Sequence, residues 1–156
     1  MLHDDEQDGY APKTIHIGGT RHDVAFMSSR GLWRIPSKEQ FQELMDCCWY
    51  DNDWDSWGIV FTSKKNGNSI FLPAAGYRIN GDFDGLYNFD DEIDDYDIFP
   101  HGFYWTDTAI IERVVGMMFP THFEFQHVGY PYLSDITYSS QKECFYGFSI
   151  RPVLVP

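Results

Sequence analysis

The spacing of apolar positions changes period along the chain, and the change separates a helical part from a strand-rich part. Phe41, Leu44, Met45 and Cys48 recur at i, i+3, i+4 and i+7, which sets them on one face of a helix. Ser37 stands just before this run and Gln40 three residues after it, a capping box whose side chains satisfy amides that a first helical turn leaves unpaired. A helix is therefore predicted to begin after Pro36. Before it, Thr14 to Ile17 reads as a short strand and Gly18-Gly19 as a turn, and Arg21 to Ser28 fits a short helix burying Val24, Ala25 and Met27 or Phe26. After it, Asp51-Asn52-Asp53-Trp54-Asp55 is expected to end the helix and open a loop. Gly58 to Ser63 and Asn68 to Leu72 then read as strands joined at Asn66-Gly67, a pair that tolerates the positive φ of a type I′ hairpin turn. Further strands are predicted over Gly102 to Thr108, Arg113 to Met118, His122 to Val128 and Phe145 to Val153.

Two helices early and many strands late, with no helical crossovers between the late strands, predict an α+β fold with a mainly antiparallel sheet. At 156 residues and 18.2 kDa the chain suits one domain with one core. Residues 1–13 are acidic and polar and read as a flexible N-terminal segment, leaving 14–156 as the domain. Ile79 to Pro100 is a long polar and aromatic stretch with little periodicity, and such loops in small domains are functional or disordered.

Four ordered segments carry a resemblance. They are Trp33-Arg34-Ile35-Pro36-Ser37-Lys38-Glu39, Ile70-Phe71-Leu72-Pro73-Ala74-Ala75-Gly76-Tyr77-Arg78, Gly102-Phe103-Tyr104-Trp105-Thr106 and Cys144-Phe145-Tyr146-Gly147-Phe148-Ser149-Ile150-Arg151-Pro152-Val153. Together they resemble the Fibrobacter succinogenes major paralogous domain, a bacterial family with a C-type lectin-like fold, over about Ile15 to Val153. The resemblance implies two short helices packed on a mainly antiparallel sheet with long loops, Ile79 to Pro100 being an excursion beside the binding face. Similar domains occur as variable proteins of diversity-generating retroelements, in which chosen codons are randomised on a fixed frame. That implies a receptor or ligand-binding protein on a bacterial surface or a virion, recognising a protein or glycan of a cell surface. A structural interaction module of a surface protein or appendage, and a calcium-independent carbohydrate-binding domain, are the alternatives.

Charge narrows the partners. A net charge of −13 and a pI near 4.6 argue against nucleic acid, whose binding depends on Lys and Arg displacing counterions, and against an anionic membrane surface. The charge also keeps an aromatic-rich chain soluble. No apolar run is long enough to insert in a bilayer. The start, Met1-Leu2-His3-Asp4-Asp5-Glu6, lacks the basic and apolar regions of a secretory signal, so a cytoplasmic location stays open beside the surface one. Aromatics form 18% of the chain, more than a core of this size requires, so some are expected on the surface.

Candidate chemistry is thin. Asn80, Asp82, Asp84 and Asp91 imperfectly match a twelve-residue calcium loop, with Gly85 at the sixth position. Position 1 is Asn, position 12 is a short Asp, and no flanking helix is predicted, so calcium is expected to be dispensable and no metal site is assigned. The Glu-Pro-Asn and Gln-Pro-Asp motifs of calcium-dependent lectins are absent. Six histidines lack ligand spacing, and His122 and His127 would point to opposite faces of a strand. Cys47, Cys48 and Cys144 lack zinc spacing and are expected to be reduced. Neither a nucleophile elbow nor a phosphate-cradling glycine loop is present, so neither catalysis nor a cofactor is expected. Trp33, Trp105, Phe71, Leu72, Phe148 and Ile150 are expected in the core, with Gly102 and Gly147 at tight backbone positions. The residues left for recognition are Tyr87, Phe89, Tyr96, Phe99, Asp107, Ile110, Tyr130, Tyr132, Asp135 and Tyr138, since tyrosine offers contact area at small entropy cost.

Overall fold

The computed structural model describes residues 13–53, 55–79, 82–84, 101–112, 117–126, 131–134 and 147–155, with the backbone alone described at 79, 82–84, 112, 117–119, 126 and 132–134. The elements run β1 (Lys13–His16), α1 (Val24–Ser28), β2 (Trp33–Arg34), α2 (Lys38–Cys47), β3 (Cys48–Asp53), β4 (Gly58–Ser63), β5 (Ser69–Pro73), β6 (Tyr77–Ile79), β7 (Asp82–Asp84), β8 (His101–Glu112), β9 (Met117–Gln126), β10 (Tyr132–Ser134) and β11 (Val153–Leu154). This is an α+β arrangement of two helices and antiparallel sheets. The largest sheet has the order β1-β8-β9-β10, β3-β4-β5 form a second, and β2-β11 and β6-β7 are two-stranded.

Helix α2 forms as its sequence requires. Ser37 accepts from the Gln40 amide at 3.3 Å while the Gln40 side chain accepts from the Ser37 amide at 3.0 Å, closing the capping box. Its apolar stripe meets both larger sheets: Phe41 stacks on Phe123 at 4.7 Å, and Leu44, Met45 and Cys48 flank a cluster of Ile59, Phe61, Leu72, Ala74, Tyr104 and Phe125. Each large side chain buried there contributes about 1.5–3 kcal/mol of transfer free energy. Burial also pushes the Cys48 thiol up, with the neighbouring Cys47 adding to the effect. Cys47 and Cys48 are both free thiols.

Helix α1 is shorter than its pattern suggests. It starts at Val24 because Asp23, fully buried, caps it by accepting from the Phe26 amide at 3.0 Å. The same carboxylate accepts from Gly19 at 2.9 Å and Ile35 at 3.0 Å, tying the turn after β1 to the strand before α2. Ala25 and Phe26 are half-buried and Met27 is 57% exposed, so Phe26 takes the inner place of that pair, whereas Val24 is 58% exposed, against the expected burial. Trp33 is likewise outside the core, at 43% exposure.

Several strand boundaries differ from the sequence pattern. Asp51 to Asp53 lie in β3 rather than a loop, because six residues from Cys48 to Asp53 pair in register with β4 and pairing overrides the weak strand preference of Asp and Asn. The loop begins only at Asp53, whose side chain accepts from the Asp55 and Ser56 amides at 3.1 Å. The β4–β5 hairpin is present, yet of its two central residues only Gly67 has positive φ, at 73°. Gly67 donates to the Ser63 carbonyl at 3.0 Å, making a four-residue loop instead of the two-residue type I′ turn. Finally, Met117–Met118 and His122–Gln126, expected in two separate strands, belong to one strand, β9, antiparallel to β8, the rest of the two expected ranges lying outside the described residues.

Candidate functional site

The β8–β9 ribbon has two buried faces. Alternation puts Gly102 and Tyr104 on the core side with Phe123 and Phe125, and His101, Phe103 and Trp105 on the other with His122 and Glu124. That second face is closed by the tail. Trp105 donates to the Ser149 carbonyl at 3.0 Å and Ser149 donates to the Phe103 carbonyl at 3.0 Å, laying residues 147–149 beside β8. Phe148 thereby stacks on Trp105 at 4.2 Å and Phe103 at 5.0 Å and meets His122 edge-on at 4.9 Å. Tyr77 closes the cluster against Phe103 at 5.2 Å. Two segments far apart in sequence, Gly102 to Thr106 and Gly147 to Ser149, are therefore direct neighbours, which accounts for their shared aromatic character.

Inside this cluster Glu124 lies between two imidazoles, with His122 Nε2 at 3.3 Å and His101 Nδ1 at 3.9 Å. His122 is 3% exposed, so the carboxylate beside it satisfies a ring nitrogen that would otherwise be stranded among aromatic rings. Among the described residues no group of three His, Cys, Asp or Glu stands where it could hold a metal ion.

Asp107 is expected to be an exposed contact residue, and its position differs. It sits in a β-bulge where Thr106, Asp107 and Thr108 face Thr121, between the Trp105–His122 and Ala109–Pro120 pairs. It is 7% exposed, donates its amide to the Pro36 carbonyl at 2.8 Å and accepts from the Ile17 amide at 2.8 Å. The Thr108 hydroxyl donates to its carboxylate at 2.9 Å, and His16 Nδ1 is 3.4 Å away. Side-chain bonds among Thr106, Thr121 and Thr108 satisfy the rest of the bulge, Thr106 Oγ1 donating to the Thr121 carbonyl and Thr121 Oγ1 to the Thr108 carbonyl, each at 3.0 Å. Thr108, His16 and Asp107 superficially resemble a relay, but one ring nitrogen faces both hydroxyl and carboxylate, whereas a relay uses one nitrogen for each. The bulge is a joint between β1, the strand before α2, and β8–β9.

The other candidates are distributed as follows. Ile110 is half-buried in β8, opposite Thr14 of β1 and Phe119 of β9. Tyr132 opens β10 opposite Glu124, with its side chain outside the described residues. Asp82 and Asp84 pair with Ile79 and Tyr77 in the β6–β7 ribbon. Asn80, Asp91, Tyr87, Phe89, Tyr96, Phe99, Tyr130, Asp135 and Tyr138 lie outside the described residues.

Sequence reasoning missed the exposed aromatic residues of β3 and the turn after it. On β3, Trp49 is 69% exposed and Tyr50 39%, and Trp57 in the following turn is 38% exposed. Tyr50 turns inward to tilt against Phe61 at 6.0 Å, while Trp49 faces outward beside Thr62 and Ser69, with Lys64 Nζ 4.8 Å from its ring centre. The signal was present in Trp49-Tyr50-Asp51-Asn52-Asp53, where large aromatics sit among acids that no core would take. Comparison of the chain with protein-family models, with characterised proteins and with solved structures finds no match.

Proposed function

We propose that this chain is a non-catalytic ligand- or receptor-binding protein on a C-type lectin-like scaffold, recognising a protein or glycan of a cell surface, and that it is a variable protein of a bacterial or phage diversity-generating retroelement. The observation that carries the reading is the exposure of Trp49 on a strand held by six paired residues and of Trp57 in the turn that follows it. Rigid aromatics on a fixed backbone bind without an ordering cost, and both buried polar networks are committed to internal partners.

The exposed Trp49 ring favours a glycan over a protein as ligand, since an indole face stacks on sugar rings. The test is binding to arrayed cell-surface glycans and proteins in chelator. Trp49→Ala with Trp57→Ala, and separately Tyr130→Ala with Tyr132→Ala and Tyr138→Ala, are expected to weaken binding at least about tenfold while the melting temperature stays put. Loss of folding in place of binding would mark these residues as structural and overturn the reading. The retroelement assignment predicts sibling copies that differ between Phe103 and Phe145 beside a reverse transcriptase. Asp107 should be invariant among them, since its carboxylate is built into the bulge. Even scatter of differences would leave the fixed interaction module as the better account.

A further inference from the structure

Alternation divides the β3–β4–β5 sheet into two unlike faces. Cys48, Ile59, Phe61 and Leu72 belong to the core side, while the outward side carries Trp49 and Asp51 of β3, Thr62 and Val60 opposite them on β4, and Ser69 and Phe71 on β5. Trp49, Thr62 and Ser69 therefore form one row across three strands, and Asp51, Val60 and Phe71 form the next, about 7 Å along the strands. Trp49, Asp51 and Ser69 are exposed, and Val60, Thr62 and Phe71 are half-buried. The Phe71 ring fills the space over Gly58 that a Cβ would take, so the second row offers an apolar floor beside the exposed indole.

Each group around the indole has a place. Lys64 follows β4 on the α2 side of Trp49: its amide donates to the Cys47 carbonyl at 3.0 Å and its ammonium to the Asp46 carbonyl at 2.8 Å, with Nζ 4.8 Å from the indole centre. The cation thus covers the ring from the helix end and holds it, leaving the other side to look along the sheet toward Asp51, Val60 and Phe71. Trp49 keeps 69% of its surface exposed even so. The Thr62 and Ser69 hydroxyls, 2.8 Å apart, use one proton between them and keep the second proton and further lone pairs available. The Asp51 carboxylate can only accept.

An open aromatic face, an acceptor carboxylate and a pair of hydroxyls complement a sugar, whose C–H face packs on an aromatic ring and whose hydroxyls donate. Charge then selects among sugars. With Asp51 in the site, Lys64 engaged behind the indole and a net charge of −13 on the chain, a carboxylated or sulfated sugar meets repulsion.

We propose that this outward face binds a neutral sugar unit of a glycan, its ring on the side of Trp49 that Lys64 leaves open, with its hydroxyls donating to Asp51 and meeting the Thr62–Ser69 pair. The inference rests on the glycan reading above and names the class of sugar at that site.

The probes are lactose, cellotriose, maltotriose and mannotriose, with sialyllactose and sulfated lactose as charged counterparts, each titrated in chelator by ligand-observed NMR. At least one neutral sugar is expected to bind, and each charged sugar at least about tenfold more weakly. Trp49→Ala should abolish that binding. Asp51→Asn should weaken it at least about tenfold, since hydrogen bonds to a charged acceptor are the strong ones, with the melting temperature unchanged because both side chains are exposed. Charged sugars bound as tightly as neutral ones, or neutral binding that Asp51→Asn leaves intact, would overturn the neutral-sugar site while Trp49-dependent binding upheld the recognition reading. Binding of no neutral sugar overturns the site as well, and the effect of Trp49→Ala on the arrayed glycans and proteins then shows whether recognition itself survives.

Discussion

On one side of the β8–β9 ribbon, Tyr104, Phe123 and Phe125 meet α2 and β4–β5 in an apolar interior; on the other, Phe103, Trp105 and Phe148 enclose a carboxylate and two imidazoles. The first face is closed by a helix whose cap and stripe are local in sequence. The second is closed by residues 147–149, held to β8 by two backbone hydrogen bonds and to Arg78 by two more. A face closed by a capped helix is fixed by dense packing, whereas one closed by a returning segment can settle when a side chain is lost. The fold therefore rests on the first face, and the second decides whether the tail stays docked.

Truncating one ring on each face tests this most directly. Phe123→Ala removes a side chain with 0% exposure that stacks on Phe41 and tilts on Phe61, and it should cost about 3–5 kcal/mol. Phe148→Ala should cost about 2 kcal/mol, since the tail can relax into the space. Urea unfolding followed by far-UV circular dichroism measures both. Equal losses would mean that the tail is as tightly fixed as the helix, and the distinction between the faces would fail.

The same contrast explains what was readable in the sequence. Helix α2 and its core residues were legible because Ser37, Gln40 and the Phe41-Leu44-Met45 stripe are local rules that nothing later contradicts. The ribbon was legible as strand but not as two faces, because Gly102 to Trp105 is apolar and aromatic throughout and alternation disappears when both sides are buried. Asp107 was misplaced on the surface, since a bulge set by Thr106, Thr121 and Pro36 joins residues too distant for any spacing rule. The tenancy of Asp23 was hidden likewise: its cap of α1 is a local signal, but its bond to Ile35 depends on the return of β2. Trp33 and Val24 were assigned to the core on apolarity alone, and their exposure follows from a helix of five residues beside a strand of two.

Glycines give a smaller and sharper version of the comparison. A Cβ on Gly102 would strike the Phe125 ring on the apolar face, where nothing can yield cheaply. On Gly147 it would lie 3.1 Å from Arg78 Cβ, a close contact on an exposed residue. Gly102→Ala is expected to cost about 1–3 kcal/mol and Gly147→Ala less than about 1 kcal/mol, measured by the same unfolding transitions. Phe125→Leu should partly relieve Gly102→Ala, so the double variant should lose less than the sum of the singles. Strict additivity would place the strain elsewhere.

A comparably small effect concerns a hydroxyl that crosses from the ribbon to β5. Tyr104, 2% exposed, donates to the Pro73 carbonyl at 2.7 Å. Burial pushes its phenol well above the ordinary value of 10.0, with the positive charge of Arg151 pulling weakly the other way. A raised folded-state value means that the fold favours the protonated form, so the contribution is complete below about pH 10 and declines as pH rises beyond it. Tyr104→Phe should cost about 1 kcal/mol at pH 7, the net worth of one neutral hydrogen bond whose acceptor stays behind. The same variant should lose less stability than the parent between pH 9 and pH 11, because it no longer carries the group whose ionisation the fold resists. Urea midpoints at both ends of that window decide the matter: identical alkaline losses would show that the phenol ionises as freely in the folded chain as in the unfolded one.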